Sequence, residues 1–289
     1  MIIINKISEK QNEKNMLAIQ YCARHCYNFA EYLNYASWLI CIITVIILSL
    51  PAVSSFLGEW KVLLALIFNI LAIIVDYLHK RFIKTGATLK MLFDYKLFGF
   101  NEKDKYNGLS LPEIKHIIAN IINRYPKSFK KQSENNGESK IKGVKDWYYN
   151  IPSALPIDKA VRICQEQNMS FDICLTKNTL LLYVILLIVV FVWFIVVNAN
   201  MSVVEIFINL CSVFALIKKI ASEFYSIGKL SVTNNFTFQL IKNKSIDSMV
   251  IQSIIDERRL VNVTIPNFLH KLMSNKLHDT ISTADSIDI

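Results

Sequence analysis

Glycine is scarce in this chain, with seven in 289 residues. Loops that cradle phosphate with closely spaced backbone N–H groups need glycine, and neither a P-loop nor a dinucleotide-binding fingerprint occurs. The five histidines, His25, His79, His116, His270 and His278, form no His-Glu-x-x-His pair, and there is no Gly-x-Ser-x-Gly elbow. The expectation is a protein that is not an enzyme and carries no cofactor. Six cysteines, Cys22, Cys26, Cys41, Cys164, Cys174 and Cys211, show no disulfide framework. Cys22, His25 and Cys26 share one stretch, but no second ligand pair has the spacing of a closed tetrahedral site, so no metal is expected. The thiols read as helix-packing residues in a reducing compartment.

What the chain has in abundance is uncharged apolar sequence. From Thr179 to Val197 there are 19 residues without a formal charge, apolar on every helical face. At 1.5 Å rise per residue, about 20 residues cross a hydrocarbon layer roughly 30 Å thick. A short connector, Asn198 to Ser202, leads to a second apolar run, Val203 to Ile217, so the two are expected to form an antiparallel hairpin. Trp38 to Leu57, kinked or ended by Pro51, and Val62 to Leu78 make another pair around a tight turn at Gly58-Glu59-Trp60-Lys61. The fold class expected is an all-α membrane protein. Four transmembrane helices in two hairpins carry a helical cytoplasmic domain built from the central and C-terminal segments.

Orientation follows from the basic residues. The hairpin tips hold only Lys61, whereas the central segment holds eighteen Lys and Arg, the C-terminal segment nine and the N-terminal segment four. By the positive-inside rule both termini and the central segment face the cytoplasm, giving a multi-pass membrane protein. The net charge of +9 is then a topology signal and an attraction to membrane lipid, and no DNA or RNA partner is expected. The expected organisation is an N-terminal amphipathic helix (1–37), a first hairpin (38–78), a central cytoplasmic segment (79–178), a second hairpin (179–217) and C-terminal helices with a tail (218–289). Within the central segment, the second span runs on as a stalk to Phe98. A capping box, Ser110 with Glu113, opens a helix buried through Ile114, Ile117, Ile118, Ile121 and Ile122. Residues 126–145 are polar and read as a flexible loop, and Pro156 opens a helix that runs into the third span. Beyond Lys219, helices continue to about Leu277 with breaks at Val232 to Asn235 and at Pro266, before an acidic tail from Thr280 to Ile289.

Polar residues inside apolar spans are costly unless they face protein or water. Asn69 and Asp76 share a face of the second span; Glu205, Asn209 and Ser212 share a face of the fourth. They either line a pore, which four helices per protomer can build only in a homo-oligomer, or hydrogen-bond neighbouring helices. Cys164, Gln165, Asn168 and Asp172 fall within about 100° of helical arc, a polar ridge suited to a ligand or to another helix.

The chain resembles the SMODS-associating four-transmembrane effectors of bacterial antiviral systems. The resemblance rests on Gln11, Ala23-Arg24 and Tyr27 before the first span, and Leu92-Phe93-Asp94 after the second. It continues with Asp146-Trp147-Tyr148, Ile151-Pro152, and Cys164-Gln165 with Asn168 and Asp172. Ile255-Asp256, Arg258 or Arg259, and Ile265-Pro266-Asn267-Phe268 complete it. It implies a pore-forming effector silent until a cyclic oligonucleotide, made by a partner nucleotidyltransferase during phage infection, binds its cytoplasmic part. Permeabilisation then ends in abortive infection. Phosphate contacts would fall to Lys90, Arg124, Arg162, Arg258 and Arg259. The alternative is a membrane-anchored scaffold or sensor whose cytoplasmic helices recruit a protein partner.

Overall fold

The computed structural model describes residues 5–49, 51–101, 103–137, 139, 142–199, 202–266 and 269. The chain is mostly helical: α1 (Ile7–Lys10), α2 (Lys14–Ser49), α3 (Pro51–Leu57), α4 (Trp60–Phe98), α5 (Leu111–Arg124), α6 (Pro126–Ser133), α7 (Ile157–Asn198), α8 (Val203–Lys242) and α9 (Ser248–Arg258). Two short strands, β1 (Lys105–Tyr106) and β2 (Leu109–Ser110), pair antiparallel. That hairpin departs from an all-helical expectation. Its cause is Asn107-Gly108, both at positive φ (51° and 90°), the pair that closes a two-residue turn with the right twist.

The chain divides into two compact units, one of Met1–Phe29, Arg81–Asp172 and Thr233–Val261, the other of Ala30–Lys80, Ile173–Val232 and Asn262–Ile289. The first has an apolar core in which Tyr21, Leu89, Phe93, Tyr95, Tyr106 and Ile114 are fully buried. Its helix ends follow local chemistry. At the start of α5 the Glu113 carboxylate accepts from the Ser110 backbone N–H at 2.7 Å, as the capping box predicts. At the start of α9, Asp247 Oδ1 accepts from the Met249 N–H at 2.7 Å. The stalk expected after the second span is the continuous α4, and the helix opened by Pro156 runs unbroken as α7.

Two expectations are corrected here. The polar segment 126–145 opens with a helix, α6, because Pro126 sits in its first turn with φ already set. After it, the Val144 and Lys145 N–H groups donate to Gln132 O (2.9 Å) and Asn135 O (3.0 Å). The break expected at Val232 to Asn235 is absent, since α8 runs to Lys242. Thr233 and Asn234 are weak helix formers by only a few tenths of a kcal/mol each. Against that, buried Asn234 accepts from Arg258 Nη1 at 3.0 Å, and a bond to a charged donor contributes ~1.5–3 kcal/mol.

In the second unit α4 and α7 turn apolar side chains outward. Leu66, Ile70 and Ile73 of α4 and Ile185, Ile188 and Val192 of α7 are exposed, which suits hydrocarbon and not water. Among the described residues three helices are long and apolar enough to cross a membrane: Lys14–Ile47, Trp60–Phe98 and Ile157–Asn198. Gly58, in the left-handed region at φ +52°, separates α3 from α4 as the turn there requires. Asn200, Asn267, Phe268 and the tail Thr280 to Ile289 lie outside the described residues.

Candidate functional site

The first unit encloses a network of buried polar side chains centred on Asp94 of α4. Asp94 stands in an otherwise apolar turn, between Phe93 and Tyr95, and is fully buried. Its Oδ1 accepts from Tyr148 Oη at 3.1 Å; its Oδ2 accepts from Gln252 Nε2 at 3.0 Å and pairs with Arg259 Nη1 at 2.7 Å. Arg259 also reaches Asp256 Oδ1 at 3.3 Å, the same oxygen that accepts from Gln252 at 3.1 Å. Burial pulls the Arg259 pKa down, but the attraction of Asp94 and Asp256 outweighs it and the net shift is upward. Burial pushes the Asp256 carboxyl up to about 6 against the opposing pull of Arg259.

The ridge on α7 faces this network. Gln165 Nε2 donates to Ser248 O (2.9 Å) and to Gln252 Oε1 (3.2 Å), Asn168 Nδ2 donates to Tyr148 Oη (2.8 Å), and Asp172 pairs with Arg258. Cys164 is fully buried and burial raises its thiol pKa. Tyr148 is held from a further direction by a reciprocal pair: its N–H donates to Gln11 Oε1 and its carbonyl accepts from Gln11 Nε2, both at 2.9 Å. The motif residues Gln11, Asp94, Tyr148, Gln165, Asn168, Asp172, Asp256, Arg258 and Arg259, scattered along the chain, thus meet in one place. Reading the sequence alone missed the central parts of Asp94, Tyr148 and Gln252. The available signal was a carboxylate set directly between apolar residues, in Leu92-Phe93-Asp94-Tyr95.

The five basic candidates for phosphate contact separate sharply. Arg162 donates to the carbonyls of Ile241 (3.1 Å), Asn243 (3.3 Å) and Ile246, closing the C-terminal end of α8. Arg258 and Arg259 are engaged with Asp172 and Asn234, and with Asp94 and Asp256. Arg124 is exposed, its guanidinium 5.7 Å from the Tyr125 ring centroid, outside the network. Lys90 is buried (9% exposed), one helical turn from Asp94, and among the described residues its Nζ has no hydrogen-bond partner. The ammonium lies 3.7 Å from the Trp147 ring centroid and 5.1 Å from that of Phe93. Among the described residues no group of three His, Cys, Asp or Glu side chains could hold a metal. Burial raises the Cys22 and Cys26 pKa values to about 12, so neither supplies a thiolate.

In the second unit, Asp76 of α4 accepts from Ser37 Oγ of α2 at 2.8 Å and pairs with Lys219 Nζ of α8 at 3.2 Å. Lys219 also pairs with Glu223 at 3.0 Å, and Glu223 accepts from Tyr183 Oη of α7. The four long helices therefore meet there in one polar layer. Asn69 is exposed on α4. The side chains of Glu205, Asn209 and Ser212 lie outside the described residues.

Nothing among the curated proteins or the solved structures matches this chain. The family model of the SMODS-associating 4TM effector domain matches residues 5–285, nearly the whole length. Together with three helices fit to cross a membrane, that makes the chain a multi-span membrane effector associated with SMODS cyclic-oligonucleotide synthases. The protein belongs to the SMODS-associating 4TM effector family.

Proposed function

We propose that the protein is a non-enzymatic, ligand-gated pore. In this reading four spans, the fourth being the apolar start of α8, pair as two hairpins and assemble with other copies in the inner membrane, termini in the cytoplasm. A cyclic oligonucleotide from the associated synthase binds the polar unit and opens the assembly. The observation that carries the reading is the composition of the long helices. Each of α2, α4, α7 and α8 supplies residues to both units, so a rearrangement of the buried network has an unbroken helical route into the spans. The charged layer of Asp76, Lys219 and Glu223 supplies something for that rearrangement to break. Moving such a switch from about 1% to 99% open requires the ligand to favour the open state by ~5.5 kcal/mol, the scale of a few charge-assisted contacts.

The test is reconstitution of the purified protein in dye-loaded vesicles, with leakage measured against a panel of cyclic di- and trinucleotides. Leakage triggered by one or a few members is expected. A flat response across the panel, or ligand-dependent activity that survives replacement of all spans by unrelated apolar helices, would remove the pore and favour an anchor.

A further inference from the structure

The Lys90 ammonium raises a question the network does not answer. It sits on α4 between fully buried Leu89 and Phe93, with no hydrogen-bond acceptor in reach among the described residues and the rings of Phe93 and Trp147 beside it; the charges of Asp94, Asp172 and Arg259 act on it without a direct contact. A buried cation left this way is expensive. Burial lowers its pKa from 10.5 to about 7, with Asp94 and Asp172 raising it and Arg259 lowering it further. The residue that covers it is held with unusual care. Asp146 and Asn150 both adopt positive φ (49° and 53°), bracketing Trp147 with two conformations L residues rarely take. Asp146 is clamped by Asn12, which donates to its carboxylate at 2.6 Å and accepts from its N–H at 3.0 Å; Tyr148 is clamped by the two bonds to Gln11. Three hydrogen bonds to backbone atoms and one to the Asp146 side chain thus hold the chain on either side of one indole, which lies over a lysine without a hydrogen bond and is 38% exposed.

We infer that Lys90 and Trp147 form the contact point for the nucleotide ligand, the ammonium taking a phosphodiester oxygen and the indole stacking on a base. A phosphodiester supplies the acceptor Lys90 lacks. A nucleobase supplies the flat partner that an exposed indole accepts, a sequence-tolerant contact common to single-stranded nucleotide binding. In this proposal the Trp147 side chain turns to admit the phosphate while the hydrogen bonds of Asp146 and Tyr148 keep its backbone in place. The inference rests on the nucleotide-gated reading and assigns its recognition to one of five basic candidates.

The experiment is isothermal titration calorimetry of full-length protein in detergent with the same cyclic di- and trinucleotide panel, inorganic phosphate as a control, at pH 8 in two buffers of different ionisation enthalpy. The wild type is expected to bind one or a few panel members and to take up a proton, since a phosphate beside Lys90 restores the charge that burial removed. Lys90→Met should weaken binding at least about tenfold and abolish proton uptake while melting no lower than wild type, because it removes a buried polar head and keeps the chain length. Trp147→Ala should weaken binding about tenfold, with Trp147→Phe intermediate. Phosphate alone should bind far more weakly than the nucleotide. Wild-type affinity and proton uptake in Lys90→Met would overturn this site and leave the gating reading standing. Absence of binding by the wild type across the panel would overturn both.

Discussion

The sharpest consequence of the buried network concerns the Asp94–Arg259 pair. Both side chains are almost wholly withdrawn from water, and their 2.7 Å contact is the shortest link between α4 and the end of α9. Asp94→Leu leaves the Arg259 guanidinium with only Asp256 at 3.3 Å, and the Tyr148 hydroxyl and one Gln252 N–H lose an acceptor. Arg259→Met leaves two carboxylates close together without their shared cation. Removing one partner of a buried pair costs ~3–5 kcal/mol because the survivor stays desolvated, whereas replacing both can be neutral. Each single substitution is therefore expected to destabilise the first unit by ~3–5 kcal/mol, and the double substitution by less than either. A chain of two units has no single unfolding free energy, so the measurement is amide hydrogen exchange on α4 and α9 in detergent, where local opening is resolved. The double-mutant cycle should return a coupling of ~3 kcal/mol or more. Losses that simply add would mean the two charges do not compensate each other, and the account of the network as a matched ionic core would fail.

Three other outcomes follow from single features. Asp256, raised from 3.8 to about 6 by burial, binds its proton more tightly in the folded state, so its contribution to stability is full below about pH 4 and is lost as pH rises through 6; the exchange protection of α9 in Asp256→Asn should lose that slope. Gly143→Ala places a Cβ 1.7 Å from Asn135 O, a backbone atom, and should loosen the segment that Arg24 holds through the Gly143 carbonyl at 2.7 Å, seen as faster exchange at Val144 and Lys145 with a cost of ~1–3 kcal/mol. Lys219→Met removes the cation between Asp76 and Glu223 and should give vesicle leakage without ligand, at least about tenfold over wild type; tight vesicles would detach this layer from gating.

Much of the fold was legible because its signals are local. The stalk of α4 and the run of α7 were readable as continuations of apolar spans, since neither helix contains a proline. The capping box at Ser110 and Glu113 was readable because both groups lie within one turn. Val232 to Asn235 misled for the opposite reason. The bond that keeps Asn234 helical comes from Arg258, 24 residues on, and no local rule contains it. The β-hairpin at Asn107-Gly108 carried a clear signal that was overlooked among helices.

The site divides along the same line. Helical geometry groups Cys164, Gln165, Asn168 and Asp172 on one face, because their positions relative to each other are set by 100° steps along one element. What that face meets is set by tertiary folding: Gln165 binds 87 residues away, and Asp94 binds Gln252 across 158. Among basic residues the sequence offers no distinction at all, since each is a cation on a helix or at its end. Only their surroundings separate an arginine closing a helix end from one matched to buried carboxylates, and both from a lysine that lies against rings and makes no hydrogen bond. The unsatisfied cation is the informative one. A side chain whose needs are met inside the fold has little to gain from a ligand, whereas Lys90 is stabilised by any phosphate that reaches it, and that difference is what a binding free energy is made from.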